Sequence, residues 1–313
     1  MTGGDAGTAD SGAAPAAGGA PALRITEITD PGCPWAWGSE PAVRLLRQTL
    51  GPRARWRRVF GILFDEDEDP APDVEAETRW YERFVAGVAA HTGAPYATPL
   101  DRVARTSWPA SLAARAAEAQ GPEVAERVLR RLREAMFVLG TPVDEAGGVR
   151  DVVHGVPGLD TERLLADAAG PRARQSVGED WSETRRPPRE VLELDAPGPH
   201  GGRAKLHNGR YRYALPTLLC EGPGGRVCVP GWRPFGEYLE AARTAAGAPL
   251  PGAGTSSPRE ALRRWRSLTG PELALLTGRY EPPHGAVRIG TGNGPLWLDP
   301  DEARTHPAAV ART

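Results

Sequence analysis

The chain has almost no lysine. Lys205 is the only one, and the rest of its 38 basic residues are arginine. Together with abundant Ala, Gly and Pro, this bias marks a GC-rich genome of the actinobacterial kind. Neither sign of charge dominates: 38 basic residues stand against 40 acidic ones, a formal net charge of −2. A global field that would draw in nucleic acid or an anionic membrane is therefore excluded. Cysteine is scarce as well. Three of them (Cys33, Cys220 and Cys228) are too few, and odd in number, for a disulfide-stapled secreted domain. No apolar run approaches the roughly 18 residues of a membrane span. Residues 1–22 are rich in Gly, Ala, Asp and Ser and lack the basic head and apolar stretch of a signal peptide. These absences point to the cytoplasm, with no membrane and no nucleic-acid partner.

What is present suffices for a core. Apolar residues make up 40% of 313, enough for one large domain or two smaller ones. Residues 1–22 read as a disordered tail. Residues 23–29 alternate with β-branched side chains and read as a strand. Asp30, Pro31 and Gly32 break it, and a helix follows over 34–50, stopped by Gly51-Pro52. A second strand is expected over 53–64. The opening is thus a βαβ unit. Helical periodicity then takes over. Trp80, Phe84 and Val88 share a face, and further helices are expected at 108–120, 123–139, 149–154 and, last, 161–169. Strand character returns over 211–220. Gly222-Pro223-Gly224-Gly225 turns the chain into a hairpin with 226–229, and a closing helix spans 234–244.

This order implies an α/β fold built in pieces. Residues 23–66 and 172–246 form one domain, interrupted by a helical insertion at 67–171. A Gly/Pro/Ser-rich linker covers 247–257, and a small α+β appendage, winged-helix-like in outline, covers 258–313.

The segment Asp30-Pro31-Gly32-Cys33-Pro34-Trp35-Ala36-Trp37 resembles the Cys-Pro-Trp motif of cytoplasmic members of the DsbA-like thioredoxin family, including its kappa-class-like branch. Residues 132–140 resemble the end of that family's helical insertion. Ala214-Leu215-Pro216-Thr217 resembles its cis-proline segment, and 232–239 its terminal helix. The likeness covers about residues 23–245 and implies a thioredoxin fold with a large helical insertion. It implies that Cys33 is the nucleophile, that Pro216 is cis, and that Leu215 and Pro216 dock a partner opposite the thiol. Pro34, Trp35 and Trp37 complete the implied substrate-binding set. The sequence departs from the family at the fourth motif position, where Ala36 replaces the second cysteine.

Cys33 is expected at a helix start, where unpartnered N–H groups and the helix dipole stabilise a thiolate and lower its pKa. Without a cysteine at position 36, three uses of the site stay open. One is a monothiol oxidoreductase forming mixed disulfides with a small thiol (mycothiol or a glutathione-like compound) or with a protein. Another is a thiol-dependent transferase or isomerase of small aromatic substrates. The third is a catalytically degenerate, protein-binding adaptor. No bound cofactor is expected. Cys220 and Cys228 read as buried, inert thiols near each other and away from Cys33. The six histidines show no metal-ligand spacing and read as surface or core residues; His207, just before the cis-proline strand, is the one whose position would let it approach the site. Arg130, Arg131 and Arg133 read as a solvated helix face.

Overall fold

β1 (Leu23–Thr29) is the central strand of a four-stranded sheet, and only Arg24 of its seven residues is exposed. Both faces of the strand are covered, although only Leu23, Ile25 and Ile28 are apolar; Thr26, Glu27 and Thr29 are buried polar residues. The computed structural model describes residues 1, 23–65, 73–194, 200–207 and 209–310. The tail expected at 1–22 lies outside the described residues, Met1 apart.

β1 pairs in parallel with β2 (Ala54–Phe60) through the crossover helix α1 (Pro34–Leu50). On its other side it pairs antiparallel with β5 (Thr217–Gly222), which turns back into β6 (Gly225–Pro230). The order is β2-β1-β5-β6. Side chains alternate across it with period two. Leu23, Ile25, Leu218 and Cys220 face α1 and α9 (Phe235–Ala246). Ile28, Val59 and Leu219 face the opposite cluster, which contains Cys33.

The helical part comprises α2 (Val74–Thr92), α3 (Trp108–Ala117), α4 (Pro122–Glu134), α5 (Ala146–Val153), α6 (Thr161–Ala169), α7 (Pro171–Thr184) and the short α8 (Arg189–Leu192). α4 continues into a π-helical turn over Ala135–Leu139, ended by Gly140 in the left-handed region. α7 departs from expectation, because 161–169 reads as the last helix. Its buried positions are Ala173, Val177, Asp180 and Thr184. Half of that stripe is polar, so no apolar periodicity announces it. Asp180 is instead held by the Phe60 amide and by Arg115.

The strand expected over 211–220 is two strands. β4 (Arg210–Arg212) pairs with β3 (Lys205–His207), and the chain then passes through a cis Leu215–Pro216 peptide into β5. β2 stops at Phe60 rather than Phe64, because Ile62 turns with φ 45°.

Residues 247–257 carry no regular structure but are held at Gly254 and Ser256 by Gln48. Beyond them, α10 (Pro258–Trp265), β7 (Ser267–Thr269), α11 (Gly270–Thr277), β8 (Val287–Gly290), β9 (Pro295–Leu298), α12 (Pro300–Ala303) and α13 (Pro307–Val310) surround a three-stranded sheet of order β7-β9-β8. This region is docked onto the body. Leu45 of α1 packs among Leu262, Leu268, Leu273 and Leu276.

The docking corrects the reading of α4. Arg130, Arg131 and Arg133 are 4%, 1% and 1% exposed and do not form a solvated face. Arg130 makes a two-pronged pair with Glu272 at 2.9 and 2.8 Å and also holds Glu134. Arg131 pairs with Glu302 at 2.6 Å, and Arg133 pairs with Glu40. Glu134 also meets His306 at 2.8 Å. Most of these partners come from distant segments, so the helix sequence alone cannot show them.

Candidate functional site

The site is built at the end of β1. Asp30 is fully buried, and its carboxylate accepts from the Gly32 amide at 2.7 Å and the Leu63 amide at 2.8 Å. These two bonds fix the turn and tie it to the segment after β2. Tyr81 of α2 donates to the Gly32 carbonyl at 2.7 Å. Cys33 is the residue before the first turn of α1, with Pro34 at its first position. Proline suits that place, because its missing N–H would have had no helical partner.

The thiol is closed in. Cys33 is 3% exposed and packs with Ile28, Trp35, Ala36, Tyr213 and Leu215, with Phe84 and Trp232 against the same cluster. Its Sγ donates to the Leu215 carbonyl at 3.5 Å. Burial pushes the thiol up to about 11, and the buried Asp30 carboxylate adds to that. The amides of Ala36 and Trp35 and the Arg133 guanidinium pull the other way and do not overcome it. The lowered pKa expected from the helix start is therefore reversed. The helix N–H groups are present, but desolvation of the charged form is the larger effect here.

Leu215 is 5% exposed, and its carbonyl faces Cys33. Pro216 is buried, and its own carbonyl accepts from Gly231 at 2.8 Å. Trp35 lies beside the thiol in the same cluster. Trp37 does not. Two residues along a helix turn the side chain by about 200°, and its indole N–H donates to the Pro95 carbonyl at 2.8 Å. Its ring stacks on Phe137 at 5.9 Å. Trp37 is thus core of the helical insertion and forms no wall at the thiol.

Cys220 and Cys228 lie on neighbouring strands but point to opposite faces of the sheet. Cys220 joins the α1–α9 core, whereas Cys228 packs against the cluster that holds Cys33. Adjacent strands in register place neighbours one step apart on alternate faces, so the two thiols are neighbours across the sheet without sharing a face. All three thiols are free. Burial pushes Cys220 up to about 12 and Cys228 to about 11.

The sequence singled out His207, whose side chain lies outside the described residues. The histidines at the site are His200 and His91. His200 Nε2 meets the Leu215 carbonyl at 3.0 Å, and its Nδ1 accepts from the Gly202 amide at 3.2 Å. This pairing fixes a neutral ring with the proton on Nε2. Burial lowers its pKa to about 4. Trp35 packs edge-on to His200 at 5.0 Å and tilted to His91 at 6.0 Å, and His91 meets Trp232 at 4.6 Å. No motif marks His200, since it lies in a Pro/Gly-rich stretch with no periodicity.

The strand, the Cys-bearing turn, the helix and the cis-proline loop are the parts of a thioredoxin fold. The pattern of the thioredoxin family Thioredoxin_5 matches residues 28–186, from β1 through α7. The chain belongs to this DsbA-like family. It is 31% identical over 158 residues to a ClpXP adapter protein, SpxH, from Shouchella clausii, a match covering 50% of this chain and 51% of that one. The chain therefore spans about half the length of that curated relative. Among solved structures, a candidate protein disulfide isomerase from Nitrosomonas europaea superposes with a TM-score of 0.53 at 17% identity, over 71% of this chain and 95% of the other. The cytosolic disulfide reductase DsbM from Pseudomonas aeruginosa gives 0.47 at 19% identity, over 71% and 93%. At these identities the likeness is one of fold. Among the described residues no helix is long and apolar enough to cross a membrane, and no three His, Cys, Asp or Glu converge as metal ligands.

Proposed function

We propose that this chain is a single-cysteine member of the DsbA-like thiol oxidoreductase family that works as a protein-binding adaptor, with its thiol silent at neutral pH. One observation carries this reading: the Cys33 Sγ is sealed in an apolar cluster and bonded to the Leu215 carbonyl, with Ala36 where a second thiol would stand. A thiol held near 11 is almost wholly protonated at pH 7, and the thiolate is the nucleophile. With no partner cysteine in the motif, no internal disulfide stores or delivers electrons. The Shouchella clausii relative, a ClpXP adapter, supports a binding role. The partner expected here is a protein delivered to a ClpXP-type protease.

The test combines the chain with ClpX and ClpP of its own organism and with proteins that co-purify with it. Degradation of those proteins is expected to accelerate when the chain is added. Cys33→Ser is expected to preserve that effect to within about twofold, since a structural thiol contributes packing rather than chemistry. No acceleration by the wild-type chain, or its complete loss in Cys33→Ser, overturns the reading.

A second reading has one observation in its favour. The thiol lies against the Leu215 carbonyl at the cis-Pro216 loop, the place where thioredoxin folds dock an extended thiol substrate. In that reading Cys33 forms a mixed disulfide with a protein or with a small thiol of the mycothiol or glutathione type. Trp35, Pro34, Leu215 and Pro216 then line the docking face. A stable small-thiol adduct on the Cys33 peptide of protein taken from cells, lost by reduction, decides for it.

A further inference from the structure

At the far end of α1 from Cys33, the surface between α1, α4 and α10 opens into a cleft of about 900 Å³. Eight arginines and four glutamates line it. The glutamates are already engaged. Glu126 holds Arg47 and Arg58, Glu134 holds Arg130 and His306, Glu302 holds Arg131, and Glu123 holds Arg127. On the rim, Arg263 and Arg264 are exposed, and no carboxylate of the described residues lies within ion-pair distance of either. The two rim arginines thus add positive charge that no ion pair among the described residues neutralises, with Glu260 acting on Arg263 only at longer range.

Two aromatic side chains, Trp56 and Trp265, stand among these charged residues. The Arg44 guanidinium lies 4.8 Å from the Trp265 ring, the Arg264 guanidinium lies 5.2 Å from it, and the Arg47 guanidinium lies 3.9 Å from the Trp56 ring. These contacts hold the cations over aromatic faces. Three buried donors of the lining residues have no hydrogen-bond acceptor, the Trp265 indole N–H, the Arg47 Nε and the Arg266 Nε, against one unpartnered acceptor, a Glu302 oxygen that faces Arg266 Nε at 3.7 Å. Buried donors are normally paired. A site with surplus donors, surplus positive charge and aromatic side chains calls for a ligand with several anionic acceptors and a flat part. The volume is in the range of small-molecule sites, and guanidinium forks match phosphate oxygens in pairs.

We propose that this cleft binds a nucleoside polyphosphate. Its phosphates lie on Arg263 and Arg264, and the base lies on the Arg47 guanidinium that covers the Trp56 ring. This site stands apart from Cys33 and does not depend on how the thiol is used.

Isothermal titration of the full chain at low salt, with ATP, tripolyphosphate and adenosine as separate probes, tests the assignment. Saturable one-to-one binding of ATP is expected, with tripolyphosphate weaker and adenosine undetected. The double variant Arg263→Ser/Arg264→Ser, both positions being exposed, is expected to weaken ATP by at least about tenfold. Trp56→Leu is expected to weaken ATP while leaving tripolyphosphate unchanged, a split that a folding defect would not produce. The assignment is overturned by an absence of saturable ATP binding up to millimolar concentration. It is equally overturned if the double variant binds as well as the wild type, or if an acidic peptide displaces ATP at the same concentration as tripolyphosphate does.

Discussion

The Cys33 thiol donates to the Leu215 carbonyl across 3.5 Å, and His200 Nε2 meets the same carbonyl oxygen at 3.0 Å. One backbone oxygen beside the cis peptide thus receives both the thiol and the His200 ring N–H.

Alkylation of Cys33 is expected to be slow at neutral pH. With burial holding the thiol near 11, its thiolate fraction at pH 7.5 is roughly 300-fold below that of a free cysteine near 8.5. The rate is expected to rise about tenfold per pH unit up to about pH 10 and to bend only near 11. Iodoacetamide labelling followed by peptide mass spectrometry, with Cys33→Ser as the blank, reads this directly. An inflection below pH 8.5 contradicts the buried-thiol account.

Ala36→Cys restores the missing motif position. Ala36 is buried in the same cluster as Cys33, three residues along the start of α1. Oxidation of this variant is expected to join the Cys33 sulfur to the introduced thiol at position 36, seen as a loss of two hydrogens from intact mass that dithiothreitol reverses. Insulin reduction by the variant, absent in the wild type, is the expected gain of function. An oxidised variant whose mass does not change shows that the turn cannot close the bridge.

Stability is expected to fall as pH drops from about 6.5 to 4. In the folded chain His200 has its pKa lowered to about 4 from an ordinary 6.5. Between those values the unfolded chain takes up a proton that the folded chain refuses, so protons favour unfolding. The contribution lost is at most about 3 kcal/mol. Burial works against the Glu27 carboxylate, but Arg58, Arg47 and Arg133 hold it down at about 2, so it loses stability in a lower window, from about 4.5 to 2. Urea denaturation of wild type and His200→Gln across pH 7 to 4 separates the two. The variant is expected to show the flatter profile above pH 4.5, and identical slopes refute the role given to His200.

Arg130→Met is expected to destabilise the chain by about 3–5 kcal/mol. The change leaves Glu272 with Arg44 as its remaining close cation and strips Glu134 of its shortest arginine contact, all in buried positions. The denaturant midpoint reads it. A loss under about 1 kcal/mol shows that the network is hydrated or redundant.

The sequence shows the opening βαβ unit plainly. Period-two alternation in β1, the Asp30-Pro31-Gly32 break and the Gly51 stop are local signals with local causes. The same is true of the hairpin after β5, whose turn glycines are written in the chain. Legibility fails where partners come from far away. α7 hides because Asp180 and Thr184 occupy its core-facing positions. The burial of Arg130 and Arg131 depends on residues more than 140 positions distant. At the site, Cys33 and Pro216 are legible from their motif context. The cover over the thiol is not: His200, Trp232, Phe84 and Tyr213 converge from four separate segments. That convergence sets the thiol's pKa against the local helix signal.

The arginine–carboxylate seam beneath α4 also bears on how the chain is made. Glu302 and His306 complete Arg131 and Glu134 across separations of 171 and 172 residues. As the polypeptide emerges from the ribosome, α4 is synthesised long before its counter-ions. Its charged flank stays hydrated until those residues arrive, and the helical part cannot dry there beforehand. The final packing of this flank therefore waits for the segment that carries Glu302 and His306. A chain interrupted before residue 302 leaves that flank of α4 without these partners.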